Sequence, residues 1–503
     1  MTGLRADKAG SALAALQRFY TTPLEQELGR HLSERPDSAA LALFQRTLAG
    51  VPAYARFLAQ AGFDPLSVQG IGDYARLPVP TKETYHRQHT LAELCRGGEL
   101  ADCDMLAVSS GSSGEPAIWP RFVSDELGTA FRFEQVLRDA FQAHERRTLA
   151  VVCFALGSWV GGMYTTACLR HLAAKGYPLT LVTPGNQKPE ILRVLRALAP
   201  SFEQVVLCGY PPFLKDVIDS GRADGFDWHA QPVKLVMAGE VFSEEWRSVV
   251  CERLGARAPE LATASLYGTA DGGVLANETP LSIVIRRKLA QAPELGRQLF
   301  GEARLPTLCQ YDPLHRYFEQ QDGNLLFSGD GGIPLVRYKI LDRGGIHAFE
   351  AMTDALRGAG CDAAGELGAR GIALRNMPFV HVFGRSNFAV SFYGANVYPE
   401  NVAVGIEQPA LLGALSGKFV MQVAHDADQN PLLDVAVELL PGQVPSAALI
   451  EDTAASIQRE LERLNSEFKN YAPLERRRPR VRLLAHADPD YFPLGVKHRY
   501  TRA

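Results

Sequence analysis

Apolar residues recur at helical spacing through roughly the first hundred positions, where Ala, Leu and Arg are interleaved, so this stretch reads as a helical subdomain or cap. Pro78-Val79-Pro80 interrupts the pattern and predicts a turn at Thr81-Lys82. From Leu149 the period changes. Short β-rich runs at Leu149 to Phe154, Leu179 to Val182, Gln204 to Cys208 and Val233 to Met237 alternate with helical patterns such as Pro189 to Leu198 and Ser243 to Leu254. That alternation predicts a layered α/β unit around a substantially parallel sheet, with ligands at the strand ends. After Ser386 the pattern becomes α+β, with alternating strands at Phe419 to Val423 and Leu433 to Leu439 and a long amphipathic helix at Ala447 to Phe468. The expected division is therefore a large unit over 1–386 and a small one over 387–503.

Composition narrows the partners. With 503 residues, 46% of them hydrophobic, the chain is too long for one compact core, and two or more domains are expected. A net charge of -4 with acids and bases interspersed offers no footprint for nucleic acid or an anionic membrane. The eight cysteines are scattered without Cys-x-x-Cys or zinc spacing, which suits reduced thiols in a cytoplasmic protein. The stretch Leu149 to Leu169 lacks charge over a length that could span a bilayer. Gly157, Ser158, Gly161 and Gly162 interrupt it, so a buried strand, a loop and a helix start fit better. The first residues carry no apolar signal region, and a cytoplasmic location is expected.

Candidate chemistry begins at Ser109-Ser110-Gly111-Ser112-Ser113-Gly114-Glu115-Pro116, which follows the apolar Met105 to Val108. Glycines allow consecutive amides to converge on an anion, and serine hydroxyls add donors without bulk, so the run reads as a phosphate-holding loop. It is neither a Walker motif nor a dinucleotide fingerprint. Alone it would read as an ordinary mobile loop.

Four further segments follow in a telling order. Tyr267-Gly268-Thr269-Ala270-Asp271, Tyr338-Lys339-Ile340-Leu341-Asp342, Gly384-Arg385-Ser386-Asn387 with Tyr393 to Pro399, and Pro493-Leu494-Gly495-Val496-Lys497 complete the series. Together with the Ser/Gly loop they resemble the adenylate-forming ligase superfamily, in its phenylacetate-CoA ligase branch. The corresponding family motifs are Thr-Ser-Gly-Thr-Thr-Gly-Lys-Pro, Tyr-Gly-x-Thr-Glu, Tyr-Arg-Thr-Gly-Asp, Gly-Arg-Ser-Asp and the C-terminal lysine motif. Three departures stand out: Glu115 replaces a lysine, Asp271 a glutamate, and Asn387 an aspartate or lysine.

The resemblance implies an ATP- and Mg²⁺-dependent enzyme that activates a carboxylic acid as its acyl-adenylate. Ser109, Ser110, Gly111, Ser112, Ser113 and Gly114 would hold the departing phosphates, with Arg121 a candidate to supply the cation that Glu115 removes. Asp271 would bind Mg²⁺, a hard ion that requires oxygen ligands. Asp342 would accept hydrogen bonds from both ribose hydroxyls. Arg385 would contact the nucleotide, and Gly239, Glu240, Tyr267, Gly268 and Thr269 would line the adenine and acyl positions. Lys497 would be the catalytic cation of adenylation, and Asn387 the hinge of a mobile small domain. Trp159, Gly161, Gly162, Tyr164, Gly209 and Tyr210 would shape a pocket for a cyclic or aromatic acid.

For the acceptor, Phe379 to Phe388 and Tyr398 to Val402 look closer to coronafacic acid ligase-type amide synthetases, which implies an amino acid amine. Thioester formation with CoA, loading of a carrier protein, and a degenerate binding protein remain alternatives.

Overall fold

The computed structural model describes residues 6–501 apart from 109–116, 158–159, 240, 303, 386–389, 393–394, 427–430, 466–467, 470–471 and 495–497. An eleven-stranded sheet runs through it. At one end Leu179–Val182, Thr148–Val152, Gln204–Gly209, Val233–Ala238 and Thr263–Thr269 lie side by side and parallel. From there the direction alternates through Gly273–Asn277, Thr307–Gln310, Phe379–Arg385, Leu335–His347, Asn324–Gly329 and Tyr317–Gln321. The parallel character expected from the strand and helix alternation thus holds for the first half, and antiparallel pairs extend it.

The parallel strands are buried on both faces, and their alternation divides the core in two. Leu149, Val151, Val205 and Leu207 point to one face, under the helices Lys188–Leu198, Pro211–Ala223 and Glu244–Arg253. Ala150, Val152, Val206 and Cys208 point to the other, with Phe19, Leu127, Phe131 and Leu169 from the helices Ala6–Thr21, Val123–Gln135 and Val160–Ala174. Each fully buried side chain of this kind contributes about 1.5–3 kcal/mol, so the faces lock the strand register. Phe44, Tyr54 and Tyr74 from the early helices pack with Phe327, Val336 and Tyr338 of the antiparallel half. The charge-free stretch becomes the strand Thr148–Val152 and the helix Val160–Ala174, and no helix among the described residues is long and apolar enough to cross a membrane.

Beyond the large sheet, Leu415–His425, Pro431–Leu439 and Arg480–Leu484 form a three-stranded sheet. Its core includes Phe419, Val435, Ile457 and Leu461, the last two from the helix Ala447–Leu464. Ser446 caps that helix by accepting the Leu449 amide at 3.1 Å.

Glu407, which ends the helix Pro399–Ile406, is 5% exposed and accepts a hydrogen bond from Ser243, the N-cap of Glu244–Arg253. Burial pushes its carboxyl up to about 8, and the Ser243 hydroxyl pulls the other way. An unfolded glutamate titrates near ~4.3, so the stability gained from the neutral form is fully present below that pH and lost as pH rises toward 8. Glu407→Gln is expected to unfold at the wild-type temperature at acid pH and at a higher one at alkaline pH. Equal differences at both ends of a thermal-denaturation pH series would refute this.

Candidate active site

The carboxyl ends of the parallel strands open on one side of the sheet, and Gly161, Gly209, Tyr210 and Gly239 meet there. Gly209 ends one strand with Tyr210 directly after it, and Gly239 follows the next strand. Gly239 has φ of +83°, and a Cβ there would stand 2.9 Å from the Tyr210 ring, so a side chain is barred by both conformation and space. Tyr210 meets Phe154 edge to face, with centroids 5.0 Å apart, and a Cβ on Gly161 would lie 3.8 Å from the Tyr210 hydroxyl. Gly161, Tyr210, Gly239 and Phe154 thus form one wall.

Tyr164 stands apart from that wall. It lies beside Gly273, whose Cβ would be 3.6 Å from its ring, and the Arg121 guanidinium sits 5.6 Å from the ring centroid. Burial pushes the Tyr164 phenol above its ordinary range, so the ring stays neutral.

The two acid-ended motifs meet through crossed hydrogen bonds. Tyr267, from the first motif, donates to Asp342 Oδ2 of the second at 2.6 Å. Tyr338, from the second, donates to Asp271 Oδ2 of the first at 2.8 Å. Both acids are buried, at 8% exposure for Asp271 and 6% for Asp342. In sheet order three strands separate Thr263–Thr269 from Leu335–His347, a span of about 19 Å in a flat sheet at the usual strand spacing. Contact between their side chains therefore requires the antiparallel half to curl back over the strand ends.

The backbone assists that curl. The register shifts between Tyr267 and Gly268, where a Cβ on Gly268 would lie 2.8 Å from the Gly273 carbonyl. A second shift falls between Arg343 and Gly344, and Leu341 takes φ of +65° immediately before Asp342. Such bulges re-aim side chains beside functional sites. Asp342 stands opposite Arg385 across the strand pair.

The Asp271 turn is braced from below. Thr269 Oγ1 accepts the Gly272 amide at 3.0 Å, and Arg316 Nη2 donates to the Gly272 carbonyl at 2.8 Å. Arg121 donates to the carbonyls of Ala270 and Asp271 and is 2% exposed. Its guanidinium braces the turn, while the Ser/Gly loop it was suggested to assist lies outside the described residues. Tyr338, Arg316 and Phe154 are contributors that the sequence reading did not single out as site residues. The tyrosine of each motif was the available signal for the crossed pairing.

The phosphate-loop residues Ser109 to Glu115, with Trp159, Glu240, Asn387 and Lys497, lie outside the described residues, as does the Arg385 side chain. Asp271 fits Mg²⁺ as a hard carboxylate, one of the one or two that such sites use beside water and substrate phosphates. Among the described residues the group of three potential metal ligands is elsewhere, at Asp216, Glu438 and His486.

No family model matches the sequence, and no curated protein matches it significantly. Solved structures do match. 2-Hydroxyisobutyryl-CoA ligase in the postadenylation state in complex with R3-HIB-AMP is 15% identical, with a TM-score of 0.66 over 97% of this chain and 91% of that one. The same ligase in complex with 2-HIB-AMP and CoA in the thioesterification state is 15% identical, with a TM-score of 0.52 over 97% and 91%. The chain has the adenylate-forming ligase fold. In this adenylate-forming ligase fold, the crossed tyrosine and acid pairs and the Tyr210 wall occupy the same end of the large sheet.

Gly161 and Gly162 provide a local test. A Cβ on Gly162 would lie 2.2 Å from the Ala155 carbonyl oxygen, whereas one on Gly161 meets nothing nearer than 3.7 Å. Gly162→Ala is expected to destabilise the protein by about 1–3 kcal/mol through overpacking. Gly161→Ala, in the helix Val160–Ala174, should be neutral or stabilising by up to about 1 kcal/mol. Urea denaturation of the pair measures the contrast, and equal losses would contradict it.

Proposed function

We propose that this chain is an ATP-dependent, AMP-forming ligase that activates a small carboxylic acid and passes its acyl group to the amine of an amino acid. The observation that carries the reading is the crossed pairing of Tyr267 with Asp342 and Tyr338 with Asp271, which brings two distant motif acids to one place. In the first step a carboxylate oxygen of the acid attacks the α-phosphorus of ATP, and the bond to the β-phosphate oxygen breaks. Pyrophosphate leaves and a mixed anhydride forms. In the second step the amine nitrogen attacks the acyl carbon, AMP leaves and a proton is lost.

The residues take separate parts in this scheme. Asp342 accepts the ribose hydroxyls while Tyr267 fixes its orientation, a task suited to a buried, pre-set carboxylate. Asp271, steadied by Tyr338, would hold Mg²⁺, which supplies charge neutralisation at the phosphates when bound. The Ser109 to Gly114 loop takes the departing phosphates, Gly239 and Tyr210 border the adenine and acyl positions, and Arg385 adds a nucleotide contact. Gly161, Gly162, Tyr164 and Gly209, with Trp159, shape the place for a cyclic or aromatic acid. Lys497 bridges the acid and the α-phosphate as negative charge builds. Residues 387–503 turn about Asn387 between the two steps.

A second reading has its own support. The fold likeness is to a CoA ligase, and this chain superposes better on its postadenylation form than on its thioesterification form at equal identity and coverage. Under that reading the acyl group goes to CoA as a thioester. The amide reading rests on the likeness of Phe379 to Phe388 and Tyr398 to Val402 to amide synthetases.

Product mass spectrometry after incubation with ATP, Mg²⁺ and a panel of cyclic and aryl acids decides between them. Amino acids and CoA are supplied in separate arms. An amide mass with AMP is expected, a CoA-dependent thioester would replace the amine with the thiol, and neither product with any acid would overturn the ligase reading. Lys497→Ala is expected to abolish acyl-adenylate formation, a loss of about 10²-fold or more, while transfer from preformed adenylate continues. Chelation of Mg²⁺ should stop the first step and spare the second. Equal loss of both steps in the variant would remove Lys497 from its assigned role.

A further inference from the structure

Helix Pro211–Ala223 starts directly after Tyr210 of the pocket wall, and its far flank carries Lys215, Asp216 and Asp219. That flank grips the three-stranded sheet. Lys215 Nζ donates to the Ser416 carbonyl at 3.1 Å, and Asp216 Oδ2 accepts from Lys418 Nζ at 2.5 Å. Asp219 holds Lys215 at 3.0 Å and pairs with Arg253, whose Nη2 reaches the Leu412 carbonyl at 3.2 Å. Asp216 is 3% exposed and Lys215 1%.

Lys418 is shared. Its ammonium also lies 3.2 Å from Glu438 Oε2, on the neighbouring strand of its own sheet. Burial alone would raise the Glu438 carboxyl, but His486, Lys418, Ser416 and the Ala487 amide hold it down to about 2. The Lys418 and Glu438 pair therefore belongs to the small sheet, and Asp216 is the carboxylate that reaches in from the other side. Asp216, Glu438 and His486 stand within 4.8 Å of one another, and the Lys418 ammonium already supplies positive charge between the carboxylates.

The strand that begins beside this contact also carries the end of the chain. His498 Nε2 lies 2.6 Å from the Phe419 carbonyl, one residue after Lys418. The Met421 amide donates to the Tyr500 carbonyl at 2.7 Å, and Thr501 pairs with Met421. Lys497 is the residue before His498. A single strand thus joins the Asp216 contact to the His498 to Thr501 segment.

We propose that Asp216 and Lys418 form a positioning pair that fixes the strand Leu415–His425 on the helix Pro211–Ala223, and thereby the three-stranded sheet with the His498 to Thr501 segment it carries, in the arrangement used for adenylation. The inference rests on the ligase reading above and extends it to residues outside the candidate site. The pair acts because a buried charge with one partner removed is costly, so a geometry that keeps both partners is strongly preferred. A contact made in one arrangement alone shifts the balance toward that arrangement by its own differential free energy.

The test uses the full chain and Asp216→Asn, which keeps the side-chain shape and leaves the Lys418 and Glu438 pair intact. Acid-dependent exchange of pyrophosphate into ATP reports the first step, transfer from preformed acyl-adenylate the second, and small-angle X-ray scattering the arrangement without any activity. Exchange is expected to fall about tenfold, the factor that corresponds to 1.4 kcal/mol, with transfer within about twofold of wild type and a changed scattering profile. Asp216→Glu should recover part of the exchange. Equal loss of both steps, or an unchanged profile with normal exchange, would overturn the proposal. Should Asp216→Asn fail to fold, the double variant Asp216→Asn with Lys418→Met removes both charges and carries the same expectations. A wild type that exchanges with no acid would overturn the ligase reading, while the scattering arm still decides whether the pair fixes the strand.

Discussion

The exchange of hydrogen bonds between Tyr267 and Asp342 and between Tyr338 and Asp271 is the constraint on which the candidate site depends. Each bond joins a parallel-half element to an antiparallel-half element that lies several strands away. Both acids are removed from water, and a buried carboxylate left without a donor would be costly. The sheet must therefore curl, and the bulge at Tyr267 and the left-handed Leu341 are the backbone's response. Leu341 takes a conformation that L-residues disfavour by roughly 1–2 kcal/mol, a cost carried by the surrounding strand pairing.

Two buried polar systems accompany this arrangement. Beneath the Asp271 turn, Arg121 and Arg316 donate to backbone carbonyls, so their charges hold loop geometry rather than face solvent. Burial pushes the Arg316 guanidinium down to about 10, which still leaves it charged at neutral pH. Away from the turn, the helix after Tyr210 uses the adjacent Lys215 and Asp216 to grip the three-stranded sheet, and Asp219, one turn on, holds Lys215. One helix thus borders the pocket at its start and the small sheet along its flank. That is a short path between the Tyr210 wall and the end of the chain.

Much of the architecture was legible because burial imposes a period. Leu179 to Val182 matches the observed strand, Gln204 to Cys208 and Val233 to Met237 match to within one residue, and the Pro189 to Leu198 helix begins one residue earlier. The predicted Ala447 to Phe468 helix stops at Leu464, where Asn465 takes an extended conformation as C-cap. The antiparallel half was not legible. Its strands carry motif residues, glycines and charges for local geometry, and hairpin pairing across them leaves no simple alternation. Tyr338 illustrates the gap: its motif was visible, but its partner lies 67 residues away.

The sequence by itself determined the order of the elements in the parallel half, the two faces of its strands and the set of motif residues, since periodicity and residue chemistry are local properties. Tertiary structure alone decided which motif acid meets which tyrosine, that Arg121 serves a turn, and that Asp216 meets Lys418. Those pairings depend on how far a twisted sheet curls and on which helix flank a second sheet covers. Both follow from the summed packing of many residues, and no local pattern encodes them.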